Sequence, residues 1–321
     1  MLSRVANSLY WLSRYLERAE NLARLVEVNR YDALDINQGD VWNALLYTTS
    51  MENSFIDSGQ KDAGAFVTFS VENPNSIRQC IAQSRENARM VRDQISEEIW
   101  RELNRFYLFI SSDRAEKLWR NQPDELYRKT IEFCMLLSGL INATVLHDDG
   151  WHFMQIGRCL ERADKTTRVL DMLAFQGEPD RAKLVSALKS CSAFNAFQVE
   201  FNSGITLKNA VSFLLFSKSF PRSVRFCLQQ LDQHLHSVSG TKTGSFSNEA
   251  ERITGSTLAQ LNFSNITDVI SSGYNEYFNS LQKQFNNIGQ QFFELYILLP
   301  LEIQSIVKSS YLHQQQQQQQ Q

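Results

Sequence analysis

The chain has 321 residues, 43% of them apolar and 21% charged, with a net charge of −3. That length can bury a sizeable core in one or two domains, and the near-neutral balance gives no global field for nucleic acid or an anionic membrane. Five prolines and thirteen glycines are few for this length, which favours long helices over many short strands.

The five cysteines (Cys80, Cys134, Cys159, Cys191 and Cys227) form no C-x-x-C pair and read as reduced, buried thiols of a cytoplasmic protein. Arg4 and Arg14 interrupt the apolar start, so no signal peptide is expected. No stretch of eighteen uncharged apolar residues occurs, so neither is a membrane-spanning helix.

In chain order, residues 3–28 read as one amphipathic helix, with Leu9, Leu12, Leu16, Ala19, Leu22, Ala23 and Val26 on a single arc. A second helix is expected over 40–54 and a loop over 55–65. Asn73-Pro74-Asn75-Ser76 opens a long helix over about 75–107, with Pro74 in its first turn. A short helix follows near 112–120. Gln122-Pro123-Asp124-Glu125 starts another that runs to about 147. His147-Asp148-Asp149-Gly150, with His152 beyond it, reads as a solvated turn. Helices are then expected over 151–175, 180–199, from Pro221 onward, 247–260 and 267–296, the last broken by Leu299-Pro300. Residues 314–321 are all glutamine, and 311–321 is assigned to a disordered tail.

Two stretches of the first half recur in the second. Arg14-Tyr15-Leu16-Glu17-Arg18-Ala19-Glu20-Asn21-Leu22-Ala23-Arg24 matches Arg158-Cys159-Leu160-Glu161-Arg162-Ala163-Asp164-Lys165-Thr166-Thr167-Arg168 at six of eleven positions. The run from Asn73-Pro74 to Cys80-Ile81 matches the run from Phe220-Pro221 to Cys227-Leu228. Ala44-Leu45 aligns with Ala187-Leu188, and Val67-Thr68-Phe69 with Val211-Ser212-Phe213. Two motifs in the same order imply tandem duplication. The expected fold is therefore all-α: two tandem, pseudo-symmetric helical bundles, over 1–147 and 148–310.

What recurs is charge. The candidate seam comprises Arg14, Glu17, Arg18, Glu20 and Arg24 in one copy, and Arg158, Glu161, Arg162, Asp164 and Arg168 in the other. Glu20–Arg24 and Asp164–Arg168 are i,i+4 pairs worth only ~0.2–0.5 kcal/mol on an exposed helix. Lysine replaces none of the repeated arginines, although solvated faces exchange the two freely and planar bidentate pairing does not. Three readings stay open: a solvated face, a buried structural network and a ligand site. If the motif helices meet across a pseudo-twofold axis, Glu17 faces Arg162 and Glu161 faces Arg18. Such a seam locks the halves together or holds an anionic or zwitterionic group.

Other sites are weaker. Arg222 and Arg225 follow Pro221 at a helix start, where free N–H groups can favour anions, although solvent-facing arginines are the plainer reading. Ser190-Cys191-Ser192 offers nucleophile types, with a buried helical Cys191 the better reading. No metal is expected: there is no Glu-x-x-His, and the arginines would repel a cation. No glycine-rich phosphate loop and no cofactor motif are present.

The Leu-Glu-Arg-Ala cores, Ser190-Cys191-Ser192-Ala193-Phe194 and Phe220-Pro221-Arg222-Ser223-Val224-Arg225 together resemble the alpha-E family of bacterial all-helical domains, over roughly residues 1–310. The family's Glu-Arg pair maps onto Glu17-Arg18 and Glu161-Arg162, and no catalytic residue carries over. The resemblance implies companions: a circularly permuted ATP-grasp ligase and a transglutaminase-like protein, in a system that makes or modifies peptide bonds. The implied role is an accessory or substrate-binding partner. The alternatives are an enzyme using Glu17 or Glu161 as acid/base, and a non-catalytic helical scaffold.

Overall fold

The computed structural model describes residues 3–35, 38–175, 179–202 and 204–298. The glutamine tail, the break at Leu299-Pro300 and the end of the second expected bundle lie outside the described residues. Among those described, there are sixteen α-helices and no strands. They are α1 Ser3–Asp35, α2 Gln38–Thr49, α3 Glu52–Ser58, α4 Ala63–Phe69, α5 Ile77–Met90, α6 Glu97–Ile110, α7 Asp113–Asn121 and α8 Pro123–Thr144. After these come α9 Asp149–Phe175, α10 Arg181–Ser190, α11 Phe194–Glu200, α12 Leu207–Phe216, α13 Val224–Ser239, α14 Glu249–Phe263, α15 Ile266–Ser272 and α16 Tyr274–Phe293, with a π-helical turn over Glu294–Leu298.

The two longest helices, α1 and α9, pack against each other at the centre. They approach closely at Gly157, where a Cβ would sit against the Tyr10 carbonyl oxygen. Around α1 lie α5 and α8, with α6 resting on both; around α9 lie α13 and α16, with α14 resting on both. The short helices α2 and α10 each pack on both α1 and α9. One continuous apolar core runs from Ala6 to Ile297, and Leu12, Ile81, Leu137, Leu160, Leu228 and Phe285 sit in it.

Several helices expected as single are broken. The expected helix over 75–107 is two, α5 and α6. Between them the chain turns over Val91–Ser96, and the Ser96 hydroxyl caps α6 by accepting from the Ile99 N–H at 3.3 Å. The turn buries Val91 and Ile95, so it carries apolar residues instead of the Gly or Pro that marks a break. The expected helix over 180–199 breaks at Cys191–Ala193, where Ser192 takes the left-handed φ of 54°. Likewise, 40–54 breaks at Ser50, with φ 55°, and α3 and α4 occupy much of the expected loop over 55–65. Gly273, at φ 82°, divides 267–296 into α15 and α16.

Pro74 and Pro221 stand outside the helices they precede, whereas Pro123 begins α8. Ser76 N–H bonds to Asn73 O, and Ser223 N–H to Phe220 O, each at 3.0 Å, so Pro74 and Pro221 occupy the second position of a tight turn. The caps are Ser76 and Ser223, both fully buried; their hydroxyls accept from the Gln79 and Phe226 N–H groups and donate to the Ser70 and Ser217 carbonyls. Other turns also share backbone geometry. Phe69 and Phe216 each end a helix and are followed by serines of the same φ and ψ. Met51 N–H bonds to Leu46 O, and Ala193 N–H to Leu188 O.

Candidate binding site at the centre of the helix pair

The charged stripes of α1 and α9 face one another. Glu17 accepts two hydrogen bonds from Arg162, Nε to Oε1 at 2.8 Å and Nη2 to Oε2 at 2.6 Å. Glu161 accepts two from Arg18, Nε to Oε1 at 2.7 Å and Nη2 to Oε2 at 3.0 Å. The cross-pairing expected between the motif helices is thus present. Both carboxylates are buried, Glu161 completely. Bidentate forks of this kind are the strongest ion-pair geometry available to side chains.

Around these forks the two sides differ. Arg14 adds Nε to Glu161 Oε2 at 2.9 Å and donates Nη1 to the Tyr10 hydroxyl at 2.8 Å. Its sequence counterpart Arg158 reaches no carboxylate and donates instead to Ser138 Oγ at 3.3 Å. The second cation on Glu17 is Arg222, which donates to Glu17 Oε1 at 3.1 Å, to Asn21 Oδ1 at 2.8 Å and to Glu20. Asn75, at the matching turn position of the first half, accepts from Arg18 Nη1 at 2.6 Å. Arg24 and Arg168 hold Glu20 and Asp164 through their Nε atoms, each at 2.9 Å.

The reading of Arg222 as solvent-facing is therefore overturned: its turn packs against α1, and its side chain is only 11% exposed. Arg225 stays outside the cluster, bonded to Asn262. Sequence reasoning did not single out Lys165, Asn75, Tyr10 or Trp11. Lys165 lay inside the second motif, one position from Asp164. Its ammonium stands 3.9 Å from Glu161 Oε1 and 3.7 Å from Asp164 Oδ2.

The charges set the protonation states. Burial alone would raise Glu17, but the Arg162 and Arg222 guanidiniums outweigh it and hold the carboxyl at about 2. Glu161 is likewise held well below the usual carboxylate range, against burial, by Arg18 and Arg14. Burial pushes the Lys165 ammonium down, against the pull of Asp164 and Glu161. Burial also pushes the Cys191 thiol up to about 12, so at neutral pH it is a protonated thiol and no nucleophile.

A cavity of about 220 Å³ opens beside the forks. Arg14, Arg18, Lys165, Arg168 and Arg222 line it, and Asp164 is its single carboxylate. A second chamber, of about 190 Å³, adjoins it and shares Arg14, Asp164 and Asn286. The second chamber is aromatic, lined by Tyr10, Trp11, Phe285 and Phe293 together with Leu160 and Gly289.

The turn between the halves is exposed at His147, Asp148 and Asp149, as a solvated turn should be. Asp148 Oδ1 accepts from the Gly150 N–H at 2.9 Å and caps α9, while His147 stacks on Trp151. His152 Nδ1 lies 2.9 Å from His234 Nδ1. Among the described residues, no group of three or more His, Cys, Asp or Glu side chains is placed to hold a metal ion. No helix of the described residues is long and apolar enough to cross a membrane.

An all-helical fold with a buried arginine–carboxylate cluster at the centre of its two longest helices defines the class of protein. The chain belongs to the Alpha-E family, described as "a predicted alpha-helical domain with a conserved ER motif", with residues 1–297 matched. It is similar to the uncharacterized protein Mb2597 of Mycobacterium bovis, 26% identical over 275 residues, and to the uncharacterized protein Rv2567 of Mycobacterium tuberculosis, 25% identical over 275 residues. Each match covers 75% of this chain and 30% of the relative, so the chain spans under a third of their length. No solved structure matches it.

Proposed function

We propose that this protein binds a carboxylate-bearing substrate in the central cavity, as the accessory partner of an ATP-grasp ligase in a peptide-forming or peptide-modifying system. The observation that carries the binding role is a surplus of half-buried cations. Arg14, Arg18, Arg24, Arg162, Lys165, Arg168 and Arg222 share only four carboxylates, Glu17, Glu20, Glu161 and Asp164. Glu161 alone answers three cations. Unneutralised charge drawn out of water is expensive, so a cavity lined by five of these cations favours an anionic occupant. The ligase and a transglutaminase-like companion rest on the family resemblance.

The internal duplication is part of this reading. It is supported by the reciprocal Glu17–Arg162 and Glu161–Arg18 forks and by the matched turns at Ser50 and Ser192. In this view one ancestral bundle pairs with its copy across α1 and α9, and divergence at Asn75/Arg222 and Arg14/Arg158 makes a one-sided pocket.

The acid/base alternative loses its ground. Catalytic carboxylates are tuned toward neutrality, whereas Glu17 and Glu161 are held deprotonated by bidentate arginines. The scaffold alternative has one observation in its favour, since the same forks tie α1 to α9. Lys165→Met separates the two. Its ammonium makes no contact shorter than 3.7 Å with a carboxylate, so the fold should survive its loss. In calorimetric titrations at fixed ionic strength, the wild type should bind small carboxylates and Lys165→Met should bind them several-fold more weakly. Co-purification with the ATP-grasp protein tests the partnership. A wild type that takes up no carboxylate or phosphate would leave only the scaffold.

A further inference from the structure

The second chamber and Asp164 narrow the occupant, on the premise that the cationic cavity is an anion site. Asp164 is only 7% exposed and lines both chambers. Its Oδ2 accepts from Arg168, but its Oδ1 is buried with no hydrogen-bond donor in the protein. A buried carboxylate oxygen without a donor is costly, and a small turn of the Asp164 carboxyl toward the chambers would let a ligand N–H satisfy it. Asp164 borders both the cationic cavity and the aromatic chamber, which is kept open at Gly289, where a Cβ would come within 3.3 Å of Leu160 Cδ2. Arg14 spans both, with its guanidinium 5.2 Å from the Trp11 ring centroid.

We infer that the site takes an α-carboxylate bearing an adjacent N–H and a large apolar side chain: a free aromatic or branched amino acid, or the C-terminal residue of a peptide. The carboxylate enters the chamber of Arg18, Lys165 and Arg222. The N–H donates to Asp164 Oδ1, and the side chain fills the space between Trp11, Phe285 and Phe293. Asp164, common to the cationic and aromatic chambers, offers the acceptor that an amino acid needs between its carboxylate and its side chain. Neither chamber alone reaches the ~300 Å³ at which pockets for drug-sized ligands begin, which fits a ligand of one residue.

The test is calorimetric titration of the full chain with L-phenylalanine, N-acetyl-L-phenylalanine, 3-phenylpropionate, L-phenylalaninamide and L-alanine. The first two should bind. Loss of the N–H in 3-phenylpropionate should weaken binding about tenfold. The amide and L-alanine should also be weaker. Tighter binding of the N-acetyl compound identifies a peptide terminus; tighter binding of phenylalanine itself identifies the free amino acid. Gly289→Leu, checked for an unchanged unfolding midpoint, should lose phenylalanine and keep L-alanine. Equal binding of phenylalanine, 3-phenylpropionate and L-alanine, insensitive to Gly289→Leu, would overturn this inference and leave the anion site standing. No binding of any carboxylate would remove both.

Discussion

Arg162 forks onto Glu17 with Nε and Nη2, at 2.8 and 2.6 Å, across 145 positions of chain. Arg18 does the same to Glu161 in the opposite sense. Each Glu-Arg dipeptide thus supplies a carboxylate to the other helix and takes one back. Adjacent helical residues cannot pair with each other in this way, because they point about 100° apart. An Glu-Arg motif on a long helix is therefore read best as half of an interface.

Glu161→Gln should be the most damaging single change in the cluster. It leaves Arg14, Arg18 and Lys165 without their shared buried anion. Breaking one side of a buried pair costs about 3–5 kcal/mol. Urea unfolding measures it, and a loss below about 1 kcal/mol would mean the pair behaves like a surface one.

Stability should fall in acid, and the sign follows from the depressed carboxyls. Glu17 titrates at about 2 in the folded protein and near 4.5 when unfolded. Above 4.5 both states are deprotonated and the full stabilisation is present. As pH drops from 4.5 toward 2, only the unfolded chain takes up the proton, so stability is lost progressively. Glu161 adds in the same direction. Thermal unfolding between pH 6 and 2 should show this slope, and Glu17→Gln should flatten it.

Gly157→Ala tests the close approach of α1 and α9. A Cβ there meets the Tyr10 backbone carbonyl and lies 3.2 Å from Arg14 Cγ. Backbone cannot rotate away as a side chain can, so the helices must separate. Overpacking of this kind costs about 1–3 kcal/mol, even though alanine is the better helix former. An unchanged midpoint in thermal unfolding would show that the helices are looser than described.

All five cysteines are free and buried. Burial pushes the Cys80 and Cys191 thiols up to about 12. The folded protein should react with a thiol reagent at neutral pH only on the timescale of unfolding, and all five should react at once in denaturant. Rapid labelling of Cys191 in the native state would restore it as a candidate nucleophile.

Local sequence determined the helical class, the two motif helices and their charged stripes, because a 3.6-residue period and i,i+4 spacing are properties of a segment by itself. It also contained the cross-pairing of Glu17 with Arg162, through the repeat. Tertiary structure decided where helices stop. The turns at Ser50, Val91–Ser96 and Ser192 carry no Gly or Pro and exist because the chain gains more by folding back onto α1 and α9 than by extending a helix. Tertiary structure also decided that Arg222 joins the cluster while Arg158 does not, since that depends on which turn packs over Glu17. The unsatisfied oxygen of Asp164 and the aromatic chamber beside it are built from residues of α1, α9 and α16 that lie far apart in the chain. Only packing brings them together, because an empty space has no sequence of its own.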